Sequence, residues 1–138
     1  MILVDSCVLI DVFNRDPVWF AWSADSLRQS GAGASLFVNP VVVGEIGWQF
    51  ESYDDLRRIL ASLLISVEAL GPEAAFRAAS AYRVYRQRRD GEVPKLPLPD
   101  FFIGGHAQHE NATILTRDSR FYRQYFPDVP LITPETMP

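Results

Sequence analysis

Five short apolar runs separated by segments with helix punctuation constrain the fold of this chain more than any other feature. The runs are Ile2-Leu3-Val4, Leu36-Phe37-Val38, Ile65-Ser66-Val67, Thr113-Ile114-Leu115-Thr116 and Leu131-Ile132. Each is too short for a buried helix and suits a strand enclosed on both faces. Strands that alternate with helices run parallel, because each crossover returns the chain to the same edge of the sheet. The pattern predicts an α/β fold in three layers, a parallel sheet of four to five strands flanked by helices.

The segments between the runs carry start and stop signals. Asp5 and Ser6 are good capping residues, so a helix is expected from there to about Asn14. Asp16-Pro17 predicts a second helix with Pro17 in its first position, ended by Gly31-Ala32-Gly33. Asn39-Pro40 caps a third, and Asp54 opens a fourth through about Leu64. Gly71-Pro72-Glu73 starts a long helix to about Arg89, and a proline-rich loop spans Val93 to Pro99. Pro99-Asp100 opens a helix to about Asn111, and Ser119–Tyr125 forms a short one.

Four acids stand out in this frame: Asp5, Glu45, Asp100 and Asp118. Asp5 and Asp118 follow strands. Asp100 starts a helix that feeds the strand at Thr113, so it returns to the same edge, and Glu45 lies early in the helix after Leu36-Phe37-Val38. Open parallel sheets bind ligands at the carboxyl ends of their strands. Carboxylates crowded there resist ionising together, and a hard divalent cation such as Mg²⁺ or Mn²⁺ relieves that repulsion. A carboxylate-held cation points to phosphoester chemistry. A lone Asp after a strand is more often an N-cap, so the weight rests on the set of four.

Other polar residues read less sharply. Ser6 and Thr116 either cap helices or orient the neighbouring acids. Asp11, Asp54 and Asp55 read as solvated positions or caps. Gly104 and Gly105 suit close helix packing more than a substrate channel. His106 and His109 point away from Asp100 at helical spacing, which predicts a solvated or partner-facing pair rather than zinc ligands. Cys7 reads as a small buried thiol. Arg77, Arg83, Arg86, Arg88 and Arg89, with Lys95, form the basic concentration, read as a solvated helix face or as phosphate contacts, for which Arg83, Arg86, Arg89 and Lys95 are the candidates. Trp19, Phe20, Trp22, Trp48, Phe50 and Tyr53 offer a candidate partner surface beside their core roles.

Composition sets the bounds. The 138 residues, 48% of them hydrophobic, suffice for one domain over 1–138. No apolar stretch is long enough to span a membrane. The single cysteine and the absence of a basic leader before Asp5 fit a cytoplasmic protein. The net charge of −4 opposes simple electrostatic attraction to nucleic acid, but cations held by the four acids would offset part of it.

Asp5-Ser6-Cys7-Val8-Leu9-Ile10, Glu45, Pro99-Asp100-Phe101-Phe102-Ile103 and Thr116-Arg117-Asp118 with Arg120-Phe121 resemble the PIN-domain ribonucleases. Within them the chain is most similar to the VapC toxins of toxin–antitoxin modules. The resemblance covers the whole chain in order and spacing. It implies a flavodoxin-like PIN fold, a homodimer, Mg²⁺- or Mn²⁺-dependent RNA cleavage by an activated water, and a cognate VapB-like antitoxin. It also implies Asp5 and Asp100 as direct metal ligands, Asp118 and Glu45 as the rest of the pocket, partly through water, and Ser6 and Thr116 in support. Gly104-Gly105 departs from the family's usual small alanines.

Two other readings share the acidic edge. A haloacid-dehalogenase-type phosphatase needs a second Asp two residues after the first, where this chain has Cys7. A receiver-type signalling module needs paired acids after its first strand and a late lysine, and the one lysine here is Lys95.

Overall fold

A computed structural model describes residues 1–88 and 98–138. The strands are β1 (Ile2–Val4), β2 (Leu36–Val38), β3 (Ile65–Val67), β4 (Thr113–Leu115) and β5 (Leu131–Ile132). The helices are α1 (Ser6–Phe13), α2 (Phe20–Gly33), α3 (Pro40–Ile46), α4 (Tyr53–Ser62), α5 (Pro72–Arg88), α6 (Leu98–Glu110) and α7 (Ser119–Tyr125), with a short 3₁₀ turn at Gly47–Gln49. All strand pairs are parallel, in the order β3-β2-β1-β4-β5. The expected three-layer α/β architecture is therefore present, with five strands.

The order has a functional consequence. The chain builds outward from β1 through β2 to β3, then crosses back to place β4 on the other side of β1. The register aligns Ile2 with Leu36 on one side and with Thr113 on the other. The direction of winding reverses between β1 and β4, and such a switch point opens a crevice at the strands' carboxyl ends. Asp5 and Thr116 stand immediately beyond those two ends.

The apolar runs are buried as their composition requires. Leu3, Val4, Val38, Ile114 and Leu115 are fully enclosed. Removing such side chains from water stabilises the fold by roughly 1.5–3 kcal/mol each. An aromatic layer closes the α5–α6–α7 side: Phe101 meets Phe121 edge-on with centroids 4.9 Å apart, and Tyr82 at 5.1 Å. Gly105 sets the closest approach of α5 and α6. A Cβ there would lie 2.6 Å from the Ala78 nitrogen and 2.8 Å from the Ala74 oxygen. A Cβ on Gly104 would run into the ring of buried Phe126. The packing role expected of both glycines is met, and α6 runs unbroken through them.

Four local expectations are corrected. The second helix starts at Phe20, not Pro17, because Asp16 Oδ1 accepts from Val18 and Trp19 and folds that stretch into a turn. Ser52, not Asp54, caps α4, which ends at Ser62. Asp11 is not solvated: it is 2% exposed and pairs with Arg117. His106 is not at the surface either. It is buried, edge-on to Phe37, and its Nδ1 accepts from Asn39 Nδ2, whose amide oxygen is already taken by the Val42 N–H. Asp54 and Asp55 are exposed in the first turn of α4, as expected. Arg89, Lys95 and positions 93–97 of the proline-rich loop lie outside the described residues, while Leu98 and Pro99, expected in that loop, already belong to α6.

Candidate metal centre

Asp5 is the fixed point of the site. It caps α1 by accepting the Ser6 N–H on Oδ1 at 2.8 Å. Its other oxygen accepts from Thr116 Oγ1 at 2.7 Å and from the Tyr122 hydroxyl at 3.1 Å. The side chain is 5% exposed. Burial pushes its pKa up, the three hydrogen bonds pull against this, and the charge on Asp118 adds a smaller upward push. A buried carboxylate with a crowded acceptor shell is locked in orientation and under electrostatic load.

Thr116 links two acids. Its hydroxyl donates to Asp5 and accepts the Asp118 N–H at 2.9 Å. Cys7 Sγ lies 3.7 Å from the same oxygen. Burial, and then the charge on Asp5, push the Cys7 thiol up to about 12, so it is no nucleophile at neutral pH. Asp118 precedes α7 but caps nothing with its side chain, and it is exposed. The bland role for an Asp in that position is therefore absent.

Glu45 comes from α3 and is half-buried, with Oε1 enclosed and lacking a hydrogen-bond partner among the described residues. Its pKa is raised, first by burial and then by Asp5, with a hydrogen bond from Ser6 acting the other way. Asp100 comes from the first turn of α6. Burial and then the charges on Asp5, Glu45 and Asp118, in that order, raise it to about 7. The structure thus brings Asp5, Glu45 and Asp118 within electrostatic reach of Asp100, from four separate places in the chain.

Among the described residues no group of three or more His, Cys, Asp or Glu side chains is placed to hold a metal ion. A hydrated hard cation would need fewer direct protein ligands than that. Mg²⁺ keeps several waters and takes few protein ligands, all oxygen. An enclosed, unpartnered carboxylate oxygen on Glu45 and mutual repulsion at Asp100 are what such a cation or its waters would relieve.

The PIN-domain family model matches residues 2–127. The chain belongs to the PIN-domain family. No curated protein sequence matches it. Its fold is similar to VapBC2 from Rickettsia felis, solved with a DNA fragment from its promoter, with a TM-score of 0.73 at 16% identity over 96% of this chain and 98% of that one. It is similar to a toxin–antitoxin complex from Klebsiella pneumoniae, at TM-score 0.71 and 19% identity over 97% and 98% of the two chains. It is also similar to VapC20 of Mycobacterium tuberculosis, described as a toxin cleaving the sarcin–ricin loop, at 0.61 and 14% over 94% and 99%.

Within this PIN fold the remaining candidates separate. Arg83 and Arg86 are exposed on α5. Trp48 and Tyr53 are 73% and 56% exposed, whereas Trp22 is half-buried and donates its indole N–H to the Met137 carbonyl at 2.6 Å. Two contributors escaped the sequence reading. Tyr122 is one; it lies one helical turn after Asp118, a spacing that could have flagged it. Its hydroxyl stays protonated, because complete burial and then the charges on Asp5 and Asp100 raise its pKa. Arg117 is the other, held by Asp11 in a two-pronged ion pair.

Proposed function

We propose that this single PIN domain over 1–138 is a Mg²⁺- or Mn²⁺-dependent endoribonuclease and the toxin of a VapC-type toxin–antitoxin pair, working in the cytoplasm. The observation that carries the reading is Asp100. Its carboxyl is held at about 7 by burial and by three other acids that share no sequence neighbourhood with it. Strongly perturbed carboxyls at a sheet's switch point mark functional sites.

Asp5 and Asp100 would hold the cation directly, with Asp118 and Glu45 completing the pocket partly through its waters. When bound, the cation would supply a more acidic water as nucleophile and screen charge at the reacting phosphorus. The chain's own residues do the rest. Thr116 and Tyr122 donate to Asp5 Oδ2 and fix that carboxylate in one orientation. Asp100 carries a proton part of the time near neutrality and releases it when positive charge arrives. Glu45 keeps an enclosed acceptor oxygen without a partner among the described residues, suited to holding a water. Arg83 and Arg86 would meet the RNA backbone as exposed cations, with Arg89 and Lys95 extending that run toward Asp100 in sequence.

The partner reading rests on the toxin–antitoxin complexes among similar folds and on exposed Trp48 and Tyr53. A VapB-like antitoxin would cover an aromatic surface and place a basic side chain against the acids. A homodimer is part of the same proposal.

The test is cleavage of a panel of structured RNAs by purified protein with Mg²⁺ or Mn²⁺. Wild type should cut and Asp5→Ala should lose nearly all activity. Cleavage that persists in EDTA, or is equal in Asp5→Ala, contradicts the proposal.

A further inference from the structure

Asp118 is exposed and its side chain makes no capping bond, so its place is set through the backbone, where its N–H donates to Thr116 Oγ1 at 2.9 Å. Its neighbour supplies a second anchor. Arg117 Nε donates to Asp11 Oδ2 at 2.6 Å and its NH2 nitrogen to Asp11 Oδ1 at 2.8 Å. Asp11 is 2% exposed and also accepts from Ser23 Oγ on α2 at 2.7 Å. The guanidinium stacks over the Trp19 ring with its carbon 5.0 Å from the centroid. A two-pronged arginine–carboxylate pair fixes direction as well as distance, and the aromatic face restricts it further.

The topology gives this pair its meaning. Thr116, Arg117 and Asp118 are consecutive in the turn between β4 and α7. Thr116 is tied to Asp5 at the start of α1, and Arg117 is tied to Asp11 six residues along the same segment. The turn is therefore fastened to α1 at two points, and Asp118 follows directly from the second. A single tether would leave the turn free to pivot about Thr116. Two leave Asp118 one place to stand.

We infer that Arg117 is a positioning residue for Asp118, acting through the Asp11 fork, and that Asp11 belongs to the working site although it touches none of its other acids. The inference rests on the reading of Asp118 as part of a cation site. Lysine at 117 would keep the charge but lose the planar fork. Asparagine at 11 would keep the shape but lose the charge of the acceptor pair.

The experiment is a calorimetric Mn²⁺ titration of the full chain for wild type, Asp118→Ala, Arg117→Lys and the double variant, with thermal melts to establish folding. Arg117→Lys should weaken Mn²⁺ binding about tenfold, the scale on which supports of metal ligands act. In the Asp118→Ala background the same change should cost less than about twofold, the signature of two residues acting through one path. If Arg117→Lys does not fold, Asp11→Asn carries the same comparison. Wild-type affinity in a folded Arg117→Lys or Asp11→Asn, or an undiminished loss in the double variant, overturns the inference and leaves a structural ion pair. Unchanged affinity in Asp118→Ala, or no Mn²⁺ binding by wild type, overturns the reading of the site together with it.

Discussion

Asp100 shows why residue type and position together outweigh either alone. An aspartate in the first turn of a helix would ordinarily be favoured as an anion by the helix dipole. Here burial and three acidic neighbours override that and lift it to about 7. The folded state then binds a proton that the unfolded chain has released, so the stability Asp100 contributes without metal is fully present below about pH 4 and is lost as pH rises through about 7. Asp100→Asn should flatten this fall, adding of order 1 kcal/mol at pH 8 after solvent screening and nothing at low pH. Urea melts of metal-free protein at pH 5 and pH 8 measure it, and a variant no more stable than wild type at pH 8 would count against the crowding. Asp5 is pushed up by burial, and its hydrogen-bond donors oppose that push. Thr116→Val leaves it fewer donors and raises its pKa further, so Mg²⁺ affinity at pH 7 should drop about 10- to 100-fold. The affinity should recover in part at higher pH, read by calorimetric titration at both. Asp5, Asp100 and Asp118 were legible in the sequence because each follows a strand or begins a helix, whereas Glu45 lies more than a turn into α3. Tyr122 and the Arg117–Asp11 pair were not, because each depends on two segments more than a hundred residues apart in sequence meeting at one edge.

The elements were legible where local chemistry decides them. Asn39-Pro40 and Asp5-Ser6 place α3 and α1 correctly, since their capping side chains bond within a turn. Pro17 misled because its favoured first-turn position lost to the Asp16 side chain, which captures two N–H groups and holds the backbone in a turn. His106 misled because a polar type at helical spacing says nothing of depth, and Asn39 on another element makes burial tolerable. The α5–α6 contact tests the packing argument directly. Gly105→Ala forces a methyl into backbone atoms that cannot move aside as a side-chain tip could, and should cost about 1–3 kcal/mol despite alanine's better helix propensity. Chemical denaturation reads this; a neutral or stabilising result would mean the two helices separate freely.

At the scale of the molecule, the sequence implied a parallel sheet but not its order. The order matters most, since the switch point between β1 and β4 is what brings Asp5 to Thr116. Strand order is decided by non-local pairing that short apolar runs do not encode individually. The aromatic surface divides in the same way. Trp22 is engaged by Met137, whereas Trp48 remains largely open to solvent. Trp48→Ala should therefore weaken binding of the proposed antitoxin by about tenfold or more while leaving the melting temperature nearly unchanged. If the partner's basic group enters the acidic pocket, Mg²⁺ should weaken the partner by the same factor that the partner weakens Mg²⁺. Calorimetry across a Mg²⁺ series checks both, and an affinity indifferent to Mg²⁺ places the partner elsewhere.

That the four carboxylates form one cation pocket is tested most directly by the shift in melting temperature on adding Mg²⁺, compared between wild type and Asp100→Asn. A ligand that binds the folded state alone raises stability by mass action. Wild type should melt higher with Mg²⁺, while Asp100→Asn should melt higher than wild type without it and respond much less. Equal Mg²⁺ shifts in the two proteins would contradict the account.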